Sequence, residues 1–158
     1  MIGVHFQDKL PHGRAWRSRA RLQKLLRRCV QICDKQAMAE TKTVFVYGTL
    51  KRGCRNHHVL RAADFLGEAW TEPIYLMVNC GSYPGLVHAG PAREGQAIHG
   101  ELYRVDAPLL AMLDAFEDVP REYTRASIEL RNGTPAQSYF YRGDTAHLSL
   151  CEAVWMEK

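Results

Sequence analysis

The chain has 158 residues, 46% hydrophobic and 24% charged, a size and make-up that fit one soluble globular domain and exclude a disordered chain. Its net charge of +4 is uneven: residues 1–37 hold nine Lys/Arg against two Asp/Glu, leaving 12 basic and 15 acidic side chains for residues 38–158. A mildly acidic body argues against nucleic-acid binding, which needs basic charge on the folded surface, and no apolar run nears the roughly 18 residues of a membrane span.

The first element is an amphipathic basic helix, with Leu22, Leu25, Leu26, Cys29, Val30 and Cys33 at helical spacing among Arg21, Lys24, Arg27 and Arg28. Residues 1–37 have three open readings: a transit-type or surface-binding segment, a helix for a partner, or an extension upstream of a natural start at Met38. Cys29 and Cys33 read as apolar packing on that helix. The five cysteines are odd in number and irregularly spaced, so a disulfide framework is not expected, and a reduced, cytoplasmic setting is.

From Thr43 the pattern turns to strand, and residues 38–158 form the expected domain. Thr43 to Tyr47 is apolar on both alternating sets, as in a central strand covered on both faces. Asn56 to Leu66 is expected as a short helix or helical turn with Val59, Leu60, Ala63 and Phe65 inward. Glu68 to Val78 follows as a strand broken at Pro73, then a Tyr83-Pro84-Gly85 turn, then a strand from Gln96 to Val105. Asp106 is placed to cap a helix that opens with Ala107-Pro108 and carries Leu109, Leu110, Leu113 and Phe116 as its apolar stripe. Tyr123 to Leu130 and Ala136 to Arg142 are strands joined through an Asn132-Gly133 hairpin turn. Ala146 to Trp155 is apolar enough to pack back on the domain. This order predicts an α+β domain with a mixed or antiparallel sheet rather than a doubly wound one.

Two places carry potential chemistry. In Val44-Phe45-Val46-Tyr47-Gly48-Thr49-Leu50-Lys51-Arg52-Gly53, a buried strand breaks at glycine. Either successive backbone amides turn toward one point and make an oxyanion or anion site, with the Thr49 hydroxyl binding ligand or bracing the turn, or this is a tight turn in which glycine supplies conformational freedom. In Leu113-Asp114-Ala115-Phe116-Glu117, the acid falls at a helix end beside an apolar residue. It reads either as a solvated terminal acid or as a shielded carboxyl whose pKa is lifted into the range useful for general acid/base work. Asp114 and Asp118 are expected to be exposed or to pair with Arg121 or Arg125, and Glu122 is expected at the surface. Cys54 and Cys80 have no base placed by sequence to activate them.

These blocks, taken in order, resemble the γ-glutamylcyclotransferase-like family, in its γ-glutamylamine cyclotransferase and AIG2-like branch. The resemblance spans Thr43 to Trp155 and rests on Val44 to Gly53, Asn56-His57, Tyr83-Pro84-Gly85, Gly100 to Asp106, and Leu113-Asp114-x-Phe116-Glu117 with Tyr123-x-Arg125. It implies a compact, mixed, β-barrel-like sheet with a few short helices, and a cofactor-independent enzyme. That enzyme would cyclise γ-glutamyl amino acids or γ-glutamylamines to 5-oxoproline, with no metal. It further implies that Tyr47, Gly48, Thr49 and Leu50 grip the γ-glutamyl group together with Tyr123, and that Glu117 is the general acid/base. Asp118 stands where many members have glycine. The alternative is a non-catalytic module of the same fold that binds γ-glutamyl groups or other small molecules, or serves in a stress response.

Overall fold

The computed structural model describes residues 40–157, and the expected basic helix, with Cys29 and Cys33, lies outside them. The described residues form seven strands: β1 (Lys42–Val46), β2 (Asp64–Trp70), β3 (Tyr75–Asn79), β4 (Pro84–His88), β5 (His99–Val105), β6 (Tyr123–Ile128) and β7 (Ala136–Tyr141). One α-helix, α1 (Ala107–Phe116), and a 3-10 turn at His57–Leu60 complete them. The main sheet runs β2-β5-β1-β7-β6, and β3 and β4 form a separate two-stranded ribbon. Strand β1 is antiparallel to β5 and parallel to β7, so the sheet is mixed. It is open, and "barrel-like" describes it only loosely.

The doubly apolar pattern of β1 is explained by what covers it. Phe45 and Tyr47 pack into a cluster with Tyr75 and Met77 of β3 and Leu86 of β4, whereas Val44 and Val46 pack with Leu109 and Leu113 of α1. The ribbon therefore covers one face of the central strand and the helix the other. Burial of such side chains contributes roughly 1.5–3 kcal/mol each, and β1 anchors both cores.

Helix α1 starts where expected: the Asp106 carboxylate accepts the Leu109 amide at 2.9 Å, and proline sits in the first turn. The Asn132-Gly133 turn joins β6 to β7 as an antiparallel pair, with Gly133 at φ 68°. The terminal segment packs back: the Ser149 carbonyl accepts from Asn79, and the Cys151 and His99 amides donate to Met77 and Ala153.

Three local expectations are corrected. Asp64 to Leu66 belong to β2, since pairing with β5 outweighs a short helix, and Phe65 is 40% exposed instead of inward. It lies under the Arg52 guanidinium, 3.7 Å from the ring centre. Pro84 and Gly85 open strand β4; Gly85 faces the Tyr141 ring, where a Cβ would come within 2.8 Å of Tyr141 Cβ. Phe116 does not join the stripe of α1 but is 43% exposed at the helix end.

Candidate active site

Strands β1 and β7 end, and β6 begins, on the same edge of the sheet. There the end of α1 meets the start of β4 around a cavity of about 160 Å³. Its wall includes Tyr47, Gly48, Thr49, Leu50, Glu117 and Tyr123, so the structure brings to one place the six residues that the resemblance implied for the site. It adds Arg55, Asn56, Tyr83, Pro84, Glu122 and Tyr139 among others.

The turn after β1 is braced by the residues around it. The Asn56 amide donates to the Thr49 carbonyl at 3.1 Å, and Asn56 Nδ2 donates to Thr49 Oγ1 at 3.0 Å. Glu101, buried on β5, accepts the Arg52 amide at 2.9 Å and the Tyr103 hydroxyl at 2.8 Å, tying the loop to the sheet. None of the hydrogen bonds among the described residues uses the amides of Gly48, Thr49 or Leu50. A run of unused amides in a cavity wall is a ready set of donors for an anionic oxygen. Gly48 is not in the left-handed region; a Cβ there would meet Pro84. Close packing, not conformational freedom, calls for glycine.

The hydroxyls of Tyr47 and Tyr123 are already committed to the fold. The Tyr47 hydroxyl donates to the Tyr139 carbonyl at 2.9 Å and accepts the Leu86 amide at 3.1 Å. The Tyr123 hydroxyl donates to the Pro84 carbonyl at 3.1 Å. The Leu86–Tyr47 and Tyr123–Pro84 bonds stitch the main sheet to the β3–β4 ribbon. Burial pushes both phenols well above their usual range, so they stay neutral.

Glu117 caps the C-terminus of α1, its amide donating to the Leu113 carbonyl at 2.9 Å. Desolvation, and secondarily the charge of Glu122, raises its pKa from 4.5 to about 7. The helix end is fixed by Arg125, whose Nε and Nη2 donate to the two oxygens of Asp114 at 2.8 and 3.1 Å, while the Tyr139 hydroxyl donates to Asp114 Oδ1 at 2.9 Å. Asp118 has φ 51°, the region where glycine is at ease, and Asp is among the few other residues that visit it. Its side chain pairs with Arg121, accepting Nε at 2.9 Å.

Glu122 is not a surface residue, as the sequence suggested, but part of the cavity wall, where it accepts the Tyr83 hydroxyl at 2.5 Å. It sits in the irregular link between α1 and β6, where neither helical nor strand periodicity assigns a direction. Its one local signal is its place directly before Tyr123. Burial pushes the Cys54 and Cys80 thiols up, the opposite of an activated thiolate.

The family described as "Gamma-glutamyl cyclotransferase, AIG2-like" matches residues 44–156. A Vibrio cholerae protein provisionally named a gamma-glutamylcyclotransferase is 48% identical over 99 residues, which span 63% of this chain and 81% of that protein. Gamma-glutamylaminecyclotransferase A of Danio rerio is 38% identical over 113 residues, 65% of this chain and 69% of its own length. The crystal structure of an AIG2-like protein from Mus musculus matches with 32% identity and a TM-score of 0.57, covering 72% of this chain and 87% of that one.

Proposed function

The chain belongs to the gamma-glutamyl cyclotransferase, AIG2-like family, and from that premise we propose that it cyclises γ-glutamyl amides to 5-oxoproline with Glu117 as general acid/base. One observation carries the reading: a shielded carboxyl with a pKa raised to about 7 shares a small cavity with the unused amides of Gly48, Thr49 and Leu50.

The chemistry follows from the substrate. Its α-amino group attacks its own γ-carbonyl carbon, so a C–N bond forms within the molecule and no Ser or Cys nucleophile is required. The cavity's task is to hold the chain folded with the two atoms in contact. The α-ammonium must lose two protons to become a lactam nitrogen, and the departing nitrogen must gain two to leave as an ammonium. Glu117 relays them, and a carboxyl that titrates near neutrality is suited to both directions. The carbonyl oxygen becomes an oxyanion in the tetrahedral intermediate, and the amides of the Gly48–Leu50 turn are its donors. The Thr49 hydroxyl, whose oxygen already accepts from Asn56, keeps its own proton to donate. The rings of Tyr47 and Tyr123 wall the aliphatic part of the glutamyl group. This reaction calls on no cofactor.

The test is release of 5-oxoproline from γ-glutamyl dipeptides and γ-glutamylamines by the parent and E117Q, with binding followed by thermal shift. E117Q is expected to lower kcat by roughly 10²–10⁴-fold while KM changes little. Near-parental turnover in E117Q would overturn the role of Glu117. Binding without turnover in the parent would instead make the protein a non-catalytic γ-glutamyl-binding module.

A further inference from the structure

Resting on the cyclotransferase reading above, we propose that Glu157 is a positioning residue for the reaction: by gripping Arg55 it fixes Asn56, and through Asn56 the alignment of the donor turn at Gly48, Thr49 and Leu50.

Residues 151–157 alternate in burial. Cys151, Ala153, Trp155 and Glu157 are partly buried, whereas Glu152, Val154 and Met156 are exposed. An acid thus turns inward where the apolar Met156 turns out at 76% exposure, and a carboxylate drawn in from water calls for a charged or hydrogen-bonded partner. That partner is Arg55, held twice. Its backbone amide donates to Glu157 Oε2 at 2.7 Å, and its Nε lies 3.1 Å from Oε1. One carboxylate so fixes both the backbone and the side chain of residue 55, with the strength of charge-assisted bonds.

The grip leads straight to the site. Asn56, the next residue, bonds the Thr49 carbonyl through its amide at 3.1 Å and Thr49 Oγ1 through Nδ2 at 3.0 Å. The same segment holds the near end of the loop as well, since buried Lys51 donates from Nζ to the Trp155 carbonyl at 3.0 Å. On its other side the Arg55 guanidinium donates to the Ser82 carbonyl, just before Tyr83 in the cavity wall. Residues 155–157 therefore clasp both ends of the loop that follows the donor turn. Of the two grips, the one at Lys51 uses a backbone carbonyl that any residue at 155 supplies, and the one at Arg55 depends on the carboxylate of Glu157. The oxyanion that the turn receives exists only in the transition state, and small displacements of its donors are costly. Glu157 thus acts on turnover more than on substrate binding.

The test follows 5-oxoproline release from a γ-glutamyl dipeptide by the full chain, comparing the parent with E157A, E157Q and, as a control, E152A, whose exposed side chain lies in the same segment. E157A is expected to lower kcat by roughly 10- to 100-fold with KM nearly unchanged, E157Q to fall between because its amide oxygen still accepts from Arg55, and E152A to match the parent. Asn56→Ala cuts the link to Thr49, so adding E157A to N56A is expected to cost little more than N56A alone. A fall in kcat that multiplies in full with that of N56A overturns the proposed path, as does a loss explained by a smaller folded fraction. Parental kcat in E157A overturns the proposal and leaves the cyclotransferase reading standing. A second readout needs no turnover: the amide NMR resonances of Thr49 and Leu50 are expected to shift in E157A and to stay in place in E152A. If the parent releases no 5-oxoproline, the reaction falls and these resonances decide the grip on the turn, shifted signals supporting it and unmoved ones overturning it.

Discussion

Gly48 and Pro84 are in direct contact: a Cβ on Gly48 would lie 2.7 Å from Pro84 Cγ and 3.0 Å from Cδ. The contact joins the turn after β1 to the first residue of β4, and both residues line the cavity. Gly48→Ala is expected to lower stability by about 1–3 kcal/mol, the usual cost of overpacking, and to raise KM because the donor amides shift. Pro84→Ala removes the clashing ring atoms, so the double variant is expected to recover part of that loss in a double-mutant cycle followed by denaturant unfolding. Additive losses would mean that the two positions do not act through each other.

The pH dependence turns on Glu117. Its carboxyl must be ionised to accept a proton, so kcat/KM is expected to rise with pH along a limb centred near 7. Glu122→Gln removes a like charge and is expected to move that limb to lower pH, and an unmoved limb would exclude electrostatic coupling between the two acids. Stability has the opposite sign. A carboxyl whose pKa is raised by folding stabilises the fold below its unfolded value of 4.5 and loses that contribution as pH rises to about 7. Glu117→Gln is thus expected to gain stability relative to the parent across that window, by on the order of 1–3 kcal/mol, and to hold the gain above it.

Asp118 presents a backbone test. Its φ of 51° places a non-glycine residue in the left-handed region, and its carbonyl accepts the amides of Arg121 and Glu122 at 2.7 and 3.0 Å. Asp118→Gly is expected to keep the fold and the position of Glu122, whereas Asp118→Val is expected to cost about 1–2 kcal/mol from Cβ crowding. Chemical denaturation of the two variants checks the order.

Much of the fold was legible because it follows local rules. The doubly apolar β1, the Asp106 cap and the Asn132-Gly133 hairpin each carry a short-range chemical reason that tertiary contacts did not need to override. The errors fell where two local options were close in energy. Asp64 to Leu66 joined a strand once β5 was there to pair with, and Pro84-Gly85 opened β4 by pairing with Asn79 and Val78 of β3.

The candidate site divides in the same way. The sequence by itself determined a turn able to present amides and an acid at the end of an apolar helix, since strand termination at Gly48 and the Leu109–Leu113 stripe are local properties. Only the tertiary structure decided that these two meet across one cavity, that the Tyr47 and Tyr123 hydroxyls are committed to Tyr139, Leu86 and Pro84, and that Glu122 faces inward beside Tyr83. The physical reason is that direction along an irregular link has no period. Where Glu122 points is set by the Asp114–Arg125 clamp, the left-handed Asp118 and the start of β6, which come together only when α1 docks on the sheet.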